Sequence, residues 1–366
     1  MIKNLEIVAK RVVNDVLRLG EKDSVSVHTY EHMLPLAKEI VKAARRAGAD
    51  TMLATDSDEI WYDALKNLPE SWLKEPSPLW QAVMRTTTAR IYLDGPENPT
   101  LMRTIPPERW QANEQGAIAT FKPFEDTPVP TVGIELALVT KARAKAYGFD
   151  FNKWNSSILK AMAVDPKSIQ AQGNKISDIL RSVRTGRLTA PGGTDFGFEF
   201  HGSEAAVFSG EVRPVPGKKA TYFSSIPTGL LNIALRQGNG EGKVISNLPI
   251  PQAGRSIKGL AWEFEHGKLV QVTAKENLDK FQILWNEEKK AKGADQLGSL
   301  AIGLNSAAKF GFLNNWIVEG CATLAIGDNE YLGGTNHCEY EFGISLKGAT
   351  LEVDGKKVLM NGKIIT

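Results

Sequence analysis

The amino-acid sequence predicts two folds in one chain, an α/β domain followed by an α+β domain that is rich in β-strands. Short apolar strands alternate with amphipathic helices over roughly the first 130 residues, the pattern of an open, mostly parallel sheet covered by helices. From Leu188 onward, short strands separated by glycine replace this alternation. The proline-rich segment Phe121–Pro130 lies between the two patterns, so we expect an N-terminal domain at residues 1–130 and a C-terminal domain at residues 131–366.

The elements of the first domain follow from hydrophobic periodicity. Residues Leu34–Ala47 carry apolar side chains at helical spacing, and Gly48 stands where a helix C-terminal cap belongs. The predicted strands are Ser24–Tyr30, Thr51–Thr55 and Ala89–Leu93. No glycine-rich loop follows the first of these strands, so the sequence does not predict a dinucleotide site or a P-loop.

The second domain is expected to begin with helices and to continue as strands. Helical spacing is found at Lys153–Met162, Ser168–Arg184 and Leu278–Lys292. The predicted strands between these helices are Phe196–Phe200, Thr221–Phe223, Leu260–Phe264 and Lys268–Val272. Near the end, Asp354-Gly355 and Asn361-Gly362 are dipeptides typical of two-residue hairpin turns.

The charge pattern is that of an ordinary globular protein. The 44 basic and 42 acidic residues are interspersed and give a net charge of +2, so no one-sided basic field for binding nucleic acid is expected. The amphipathic start of the chain does not have the pattern of a signal peptide, and no apolar run reaches the length of about 18 residues that indicates a membrane span. We therefore expect a cytoplasmic protein that binds neither nucleic acid nor membranes.

Several short motifs together are similar to one enzyme family. In chain order they are Pro191–Phe196 (PGGTDF), Ile226–Gly229 (IPTG), Ile302–Asn305 (IGLN) and Ala325–Asn329 (AIGDN). Their order and spacing resemble the aminopeptidase T family of metallopeptidases and its offshoot, the iron-dependent dihydroxypyridine dioxygenases. The resemblance covers most of the chain, and it implies the β-rich C-terminal domain of that family and a homodimer.

The resemblance does not carry the family's metal ligands with it. The positions of two acidic ligands, two histidines and an aspartate fall on Leu230, Ser299, Thr323, Glu341 and Gly343. A dinuclear hydrolase needs several carboxylate or imidazole ligands to hold its metals. One carboxylate among five positions is too few, so we expect neither a metal nor a cofactor.

A shifted alignment at the last two positions stays open. Moving it by an even number of residues brings Glu339-x-Glu341 or His337-x-Glu339 into place, and an even shift keeps the same face of a strand. If the segment is a strand, His337, Glu339 and Glu341 share one face and line the cleft. This shift supplies only one edge of a metal site, since Leu230, Ser299 and Thr323 are unchanged.

The sequence supports three hypotheses about function. The first is a non-catalytic protein that binds a peptide or a precursor peptide in the emptied cleft, similar to the crocagin-type proteins of ribosomal-peptide natural-product biosynthesis. The second is a metal-independent or single-metal hydrolase that uses His337, Glu339 and Glu341. The third is a true aminopeptidase or dioxygenase whose ligands are misaligned. No catalytic residue is identified, and the expected binding residues are Leu230, Ser299, Thr323, His337, Glu339, Glu341 and Gly343.

Overall fold

The computed structural model describes residues 2–93, 95–252, 254–279, 281, 292–338 and 340–365, with the side chains of residues 2–4 and 125 left out. The helices are α1 Ile2–Lys10, α2 Leu34–Arg46, α3 Asp58–Asn67, α4 Glu70–Lys74, α5 Pro78–Thr86, α6 Pro107–Asp126, α7 Lys141–Tyr147, α8 Phe151–Met162 and α9 Pro166–Leu180. The strands are β1 Ser24–Tyr30, β2 Asp50–Asp56, β3 Ala89–Leu93, β4 Thr131–Ile134, β5 Thr185–Ala190, β6 Thr194–Phe200, β7 Ala206–Phe208, β8 Phe223–Ile226, β9 Leu230–Ile245, β10 Ile250–Gln252, β11 Arg255–Ile257, β12 Ala261–Glu265, β13 Lys268–Thr273, β14 Leu297–Gly303, β15 Ala322–Gly327, β16 Glu341–Leu346, β17 Thr350–Val353, β18 Lys356–Met360 and β19 Lys363–Ile364.

The N-terminal sheet is parallel, with the strand order β2-β1-β3-β4-β8. Val27 on β1, Ile91 on β3 and Val132 on β4 are in register and buried on one face of this sheet, and Ser26 and Tyr30 of β1 are buried on the other face, as expected of a sheet covered on both faces. Helix α2 turns its apolar face inward, with Leu36, Ala37, Ile40, Val41 and Ala44 buried. The predicted open parallel sheet with helices is therefore confirmed.

The C-terminal part is an antiparallel half-barrel whose strands run in the order β16-β15-β14-β9-β6-β5-β17-β18-β19. The long strand β9 also pairs with β7 near its start and with β12 near its end. The core of the half-barrel is aromatic and aliphatic, and its largest fully buried side chains include Trp262, Phe196 and Phe264. The predicted β-rich C-terminal fold is confirmed.

Individual elements agree with the sequence to different degrees. The two hairpin dipeptides lie at the β17–β18 and β18–β19 turns, with φ of 44° at Asp354 and 51° at Asn361, the left-handed region that type I′ turns require. The strand expected at Thr221–Phe223 is wrong, because Lys219–Tyr222 is a 3₁₀ turn and the strand begins at Phe223. The helix expected at Leu278–Lys292 lies almost entirely outside the described residues.

Two compact units make up the chain, and each is discontinuous in sequence. The first contains Met1–Phe151 and Gly210–Pro227, and the second contains Asn152–Ser209 and Thr228–Thr366. The expected boundary near residue 130 lies inside the first unit, because β4 and the later strand β8 complete its parallel sheet. In the described part of the chain, no helix has both the length and the apolar character needed to cross a membrane.

Candidate functional site

Four neighbouring strands of the second unit, β9, β14, β15 and β16, have one apolar face and one polar face. The apolar face contributes to the core through Leu231, Ile233, Leu300, Ile302, Leu324, Ile326, Ile344 and Leu346. Because side chains alternate along a strand, the residues between these face the other way. We call this opposite side the small-residue face, and it consists of Leu230, Asn232, Ala234, Ser299, Ala301, Gly303, Thr323, Ala325, Glu341, Gly343 and Ser345.

Four of the expected site residues lie near one another on the small-residue face. Ser299 and Gly343 both pair with Ala325, one from each side, so these three form a row across β14, β15 and β16. Thr323 pairs with Ser345 one row further along, and Glu341 is two residues before Gly343. Solvent access increases toward β16, since Ser299 is buried, Thr323 and Gly343 are half-buried and Glu341 is exposed.

Leu230 lies apart from this group. It begins β9 opposite Gly303, at the end of the face that is furthest from Glu341 in the strand register. Its side chain packs against an apolar cluster formed by Ala161, Ala308, Ile317, Val318 and Cys321. The structure therefore explains an apolar residue at this position by packing, and it does not bring Leu230 to the carboxylate.

His337 and Glu339 are the other two expected site residues. His337 precedes β16, which begins only at Glu341, so the strand alternation expected across His337–Glu341 is wrong. Its exposed ring lies 3.1 Å from Glu330 and 3.9 Å from Asp328, measured between Nδ1 and a carboxylate oxygen of each. Glu339 lies outside the described residues.

The Glu341 carboxylate is part of a chain of hydrogen bonds. The Tyr331 hydroxyl donates to it and lies 3.1 Å from Oε1 and 3.2 Å from Oε2. The Asn232 side-chain amide donates to the Tyr331 oxygen over 3.0 Å, and the Ser299 hydroxyl donates to Glu341 Oε1 over 3.4 Å. Residues from β9, β14, β16 and the 3₁₀ turn Glu330–Leu332 thus meet at one carboxyl group.

Desolvation governs the acidity of this group. Solvent reaches part of the Glu341 side chain, but its carboxyl group contacts Tyr331 and Ser299, and desolvation raises the pKa of Glu341 to about 7. The Tyr331 hydrogen bond lowers that pKa, and the charge of Asp328 raises it. The pKa of Tyr331 is itself raised by desolvation and by the neighbouring Glu341 charge, so Tyr331 acts as a neutral hydrogen-bond donor.

The end of the face around Thr323 and Ser345 has no reactive side chain. The Thr323 hydroxyl lies 2.9 Å from the Ser345 hydroxyl, and Cys321 Sγ lies 3.9 Å from Thr323 Oγ1. Cys321 is fully buried, and this desolvation raises the pKa of its thiol to about 11. Because a thiolate is the reactive form of cysteine, Cys321 is a structural residue.

Two buried asparagines fix the loop between β15 and β16. The side-chain amide of Asn329 donates to the carbonyls of Leu235 and Gly298, and its Oδ1 accepts from the backbone N–H of Asn336. Asn336 in turn donates through its side chain to the carbonyls of Gly293 and Gly327. This network positions Tyr331, which lies two residues after Asn329, against Glu341.

The side chains of the small-residue face do not suit a catalytic metal. Glu341 is its one charged oxygen ligand, while Ser299, Thr323 and Gly343 offer hydroxyls or no side chain at all. Within the ranges described above, no three histidine, cysteine, aspartate or glutamate side chains are grouped as metal ligands. Zinc and iron sites are built from several imidazole, carboxylate or thiolate ligands, and this donor set does not provide them.

Sequence reasoning missed two members of the carboxylate network. Asn232 is two residues after Leu230 on the same strand face, so strand alternation was the signal that points to it. Tyr331 lies in a 3₁₀ turn, where neither alternation nor helical spacing predicts the direction of a side chain.

Comparisons with known proteins agree with the architecture. The family model described as thermophilic metalloprotease (M29) matches residues 1–315. The structure of wild-type AmpT from Thermus thermophilus superposes with a TM-score of 0.77 at 17% identity, covering 100% of this chain and 99% of that one. The 2,5-dihydroxypyridine dioxygenase from Pseudomonas putida KT2440 has a TM-score of 0.61 at 12% identity, covering 100% of this chain and 98% of that one. Comparison with curated protein sequences gives no significant match.

Proposed function

This chain belongs to the thermophilic metalloprotease (M29) family, and from that premise we propose that it binds a peptide on its metallopeptidase-like scaffold without hydrolysing it. The observation that carries the proposal is the donor set of the small-residue face, on which Glu341 is the one carboxylate. Metallopeptidase chemistry needs metals that polarise the peptide carbonyl and activate water. The residues present do not hold such metals, whereas the fold around them is retained.

A peptide is the ligand that this face suits best. Among the described strands, β16 pairs with β15 alone, so its other edge has main-chain groups available for an added strand. Strand addition gives affinity through main-chain hydrogen bonds and specificity through alternate side chains. The half-buried Gly343 and the exposed Glu341 lie on this edge strand, which supports an extended peptide running beside them.

The biological setting we propose is the biosynthesis of ribosomal-peptide natural products. In such a pathway a precursor peptide has to be held intact while other enzymes modify it. A peptidase scaffold that has kept its fold and lost its metal ligands supplies this combination of binding without cleavage. The first experiment on this role concerns binding and cleavage, because a fold can host many functions and the site decides between them.

The proposal predicts that the protein retains peptides without cutting them. We expect immobilised protein to enrich a subset of a random heptapeptide library, and mass spectrometry to find the enriched peptides at full length. Gly343→Val adds a branched side chain to the edge strand, where even a Cβ lies 2.9 Å from the Thr323 methyl group. This variant should obstruct the bound peptide and reduce its affinity at least about tenfold, which corresponds to a loss of about 1.4 kcal/mol of binding free energy.

The matched control is Gly197→Val, a strand glycine on β6 whose added Cβ meets no atom within 4 Å. It should leave affinity unchanged, and the melting temperatures of both variants show whether either has unfolded. No enrichment by wild-type protein, or equal enrichment by both variants, contradicts peptide binding on this face.

A metal-independent hydrolase is the second candidate, and the chemistry of Glu341 favours it. A carboxyl group with a pKa of about 7 that accepts a hydrogen bond from Tyr331 has the properties of a general base. His337 lies outside β16 with its ring beside Glu330, so it is not placed to assist this base. Shortened peptides in the same selection, lost in Glu341→Gln, would favour hydrolysis over binding alone.

A further inference from the structure

We propose that Glu341, Tyr331 and Asn232 form a subsite for a primary ammonium group of the bound peptide, an inference that rests on the function proposed above. The group it takes is the amino terminus of a peptide or the end of a lysine side chain. Glu341 supplies the negative charge, Tyr331 orients the carboxylate, and Asn232 holds Tyr331 in place.

The carboxylate is the natural partner of a cation. Glu341 is exposed at its place on the edge strand, and no basic side chain is hydrogen-bonded to it or ion-paired with it among the described residues. Asp328, a second acid, adds negative charge nearby. A carboxylate in a desolvated setting without a cationic partner is costly, and a ligand ammonium group removes that cost through a charge-assisted hydrogen bond.

The way Tyr331 binds favours ammonium over guanidinium. Its hydroxyl lies nearly equidistant from the two carboxylate oxygens, at 3.1 and 3.2 Å. This is the position in which the fork of an arginine side chain makes its two parallel bonds. With that position taken by Tyr331, the remaining lone pairs of the carboxylate suit a compact ammonium group that approaches from another side.

The state of Asn232 supports a network built for an ionised Glu341. A tyrosine hydroxyl has one proton, and when Tyr331 donates it to the carboxylate, Asn232 has to present its N–H to the Tyr331 oxygen. That orientation leaves the buried Oδ1 of Asn232 without a hydrogen-bond partner in the described structure.

Among the residues that the structure describes, the titratable groups acting on Glu341 are Tyr331 and Asp328. Tyr331 faces it from the 3₁₀ turn, and Asp328 adds a charge from the end of β15. His337 is paired with Glu330 and, at longer range, with Asp328. On the sheet itself, the neighbours in this network are the uncharged Ser299 and Asn232.

Four heptapeptide pools test the inference. One has free amino termini and no lysine, one is acetylated and contains lysine, one is acetylated without lysine, and one is acetylated with arginine in place of lysine. Each carries a fluorophore at its carboxyl end and is titrated by anisotropy. We expect at least one of the two ammonium pools to bind at least tenfold more tightly than the acetylated lysine-free pool, and the arginine pool to bind no better than that pool.

The variants separate charge from structure. Glu341→Gln keeps the shape of the side chain and should abolish the preference for ammonium. In the wild type, the preference for ammonium should be almost entirely lost between about pH 7.5 and about pH 5.5, because the carboxylate is protonated below its pKa of about 7. Tyr331→Phe removes a hydrogen bond that lowers this pKa, so the fall in affinity should begin at a higher pH, a change that a purely structural role of Tyr331 would not produce.

The outcomes distinguish this inference from the proposed function. If no pool binds, peptide binding itself is wrong. If all four bind equally, or if Glu341→Gln keeps the ammonium preference, peptide binding stands and the ammonium subsite is refuted. If the arginine pool binds best, the argument from the position of Tyr331 is wrong.

Discussion

Asn329→Leu is expected to lower the free energy of unfolding by about 3 kcal/mol or more, one of the largest effects of a single substitution in this chain. Asn329 is fully buried, and its side chain makes three hydrogen bonds to backbone groups of Leu235, Gly298 and Asn336. Leucine has a similar size but leaves those groups without this partner, and each buried group left unsatisfied costs about 1–3 kcal/mol. Urea unfolding followed by circular dichroism measures the loss.

Asn174→Leu is the matched control. Asn174 is an exposed residue of α9, and its side chain accepts a hydrogen bond from Gln170 alone among the described contacts. Its replacement should change the free energy of unfolding by no more than about 0.5 kcal/mol. If the two variants are equally stable, the Asn329 network does not hold the loop that carries Tyr331.

A second large effect is expected from returning ligands to the small-residue face. The triple variant Ser299→Glu, Thr323→His and Gly343→Asp adds three potential metal ligands to Glu341. The four side chains then lie on the adjacent strands β14, β15 and β16, in the same row of the sheet or in neighbouring rows. Four carboxylate and imidazole ligands are the usual number for zinc. With free zinc at about 100 times its dissociation constant, binding stabilises the folded state by about 2.7 kcal/mol, which we expect to raise the melting temperature by roughly 5 °C or more.

The control for this variant keeps its shape and removes its charge. Ser299→Gln, Thr323→His and Gly343→Asn has nearly the same volume but lacks the two new carboxylates, so zinc should leave its melting temperature nearly unchanged. Zinc stabilisation of both variants, or of neither, contradicts the assignment of these positions to the site where the family's metal ligands stand.

Much of the fold was predictable because it depends on local patterns. The alternation of strands and helices indicated the parallel sheet of the first unit, and Asp354-Gly355 and Asn361-Gly362 indicated the last hairpins. The strand at Thr221–Phe223 was misplaced, since a 3₁₀ turn, Lys219–Tyr222, precedes β8 and has no distinctive residue pattern. Propensity and periodicity are weakest for such short elements.

The candidate site was predictable where it follows strand alternation. Glu341 and Gly343 are two residues apart in β16, so they share a face. Ser299 and Gly343 both pair with Ala325, which is two residues after Thr323, so all four lie on that same face. His337 was expected in a strand, but it lies in the loop before β16. Backbone hydrogen bonds such as Asn329 N–H to Asn336 O hold this loop, and the strand begins only at Glu341. The packing of Leu230 depends on residues as distant as Ala161, which no local pattern reveals.

Metal content tests the central claim most directly. Wild-type protein is purified without chelators from cells supplied with zinc, cobalt and iron, and it is analysed by elemental mass spectrometry beside an assay with aminoacyl reporter substrates. Because Glu341 is the one carboxylate on the small-residue face, our account predicts far less than one metal ion per chain and no turnover. One or two tightly bound ions per chain, together with metal-dependent hydrolysis, would contradict it.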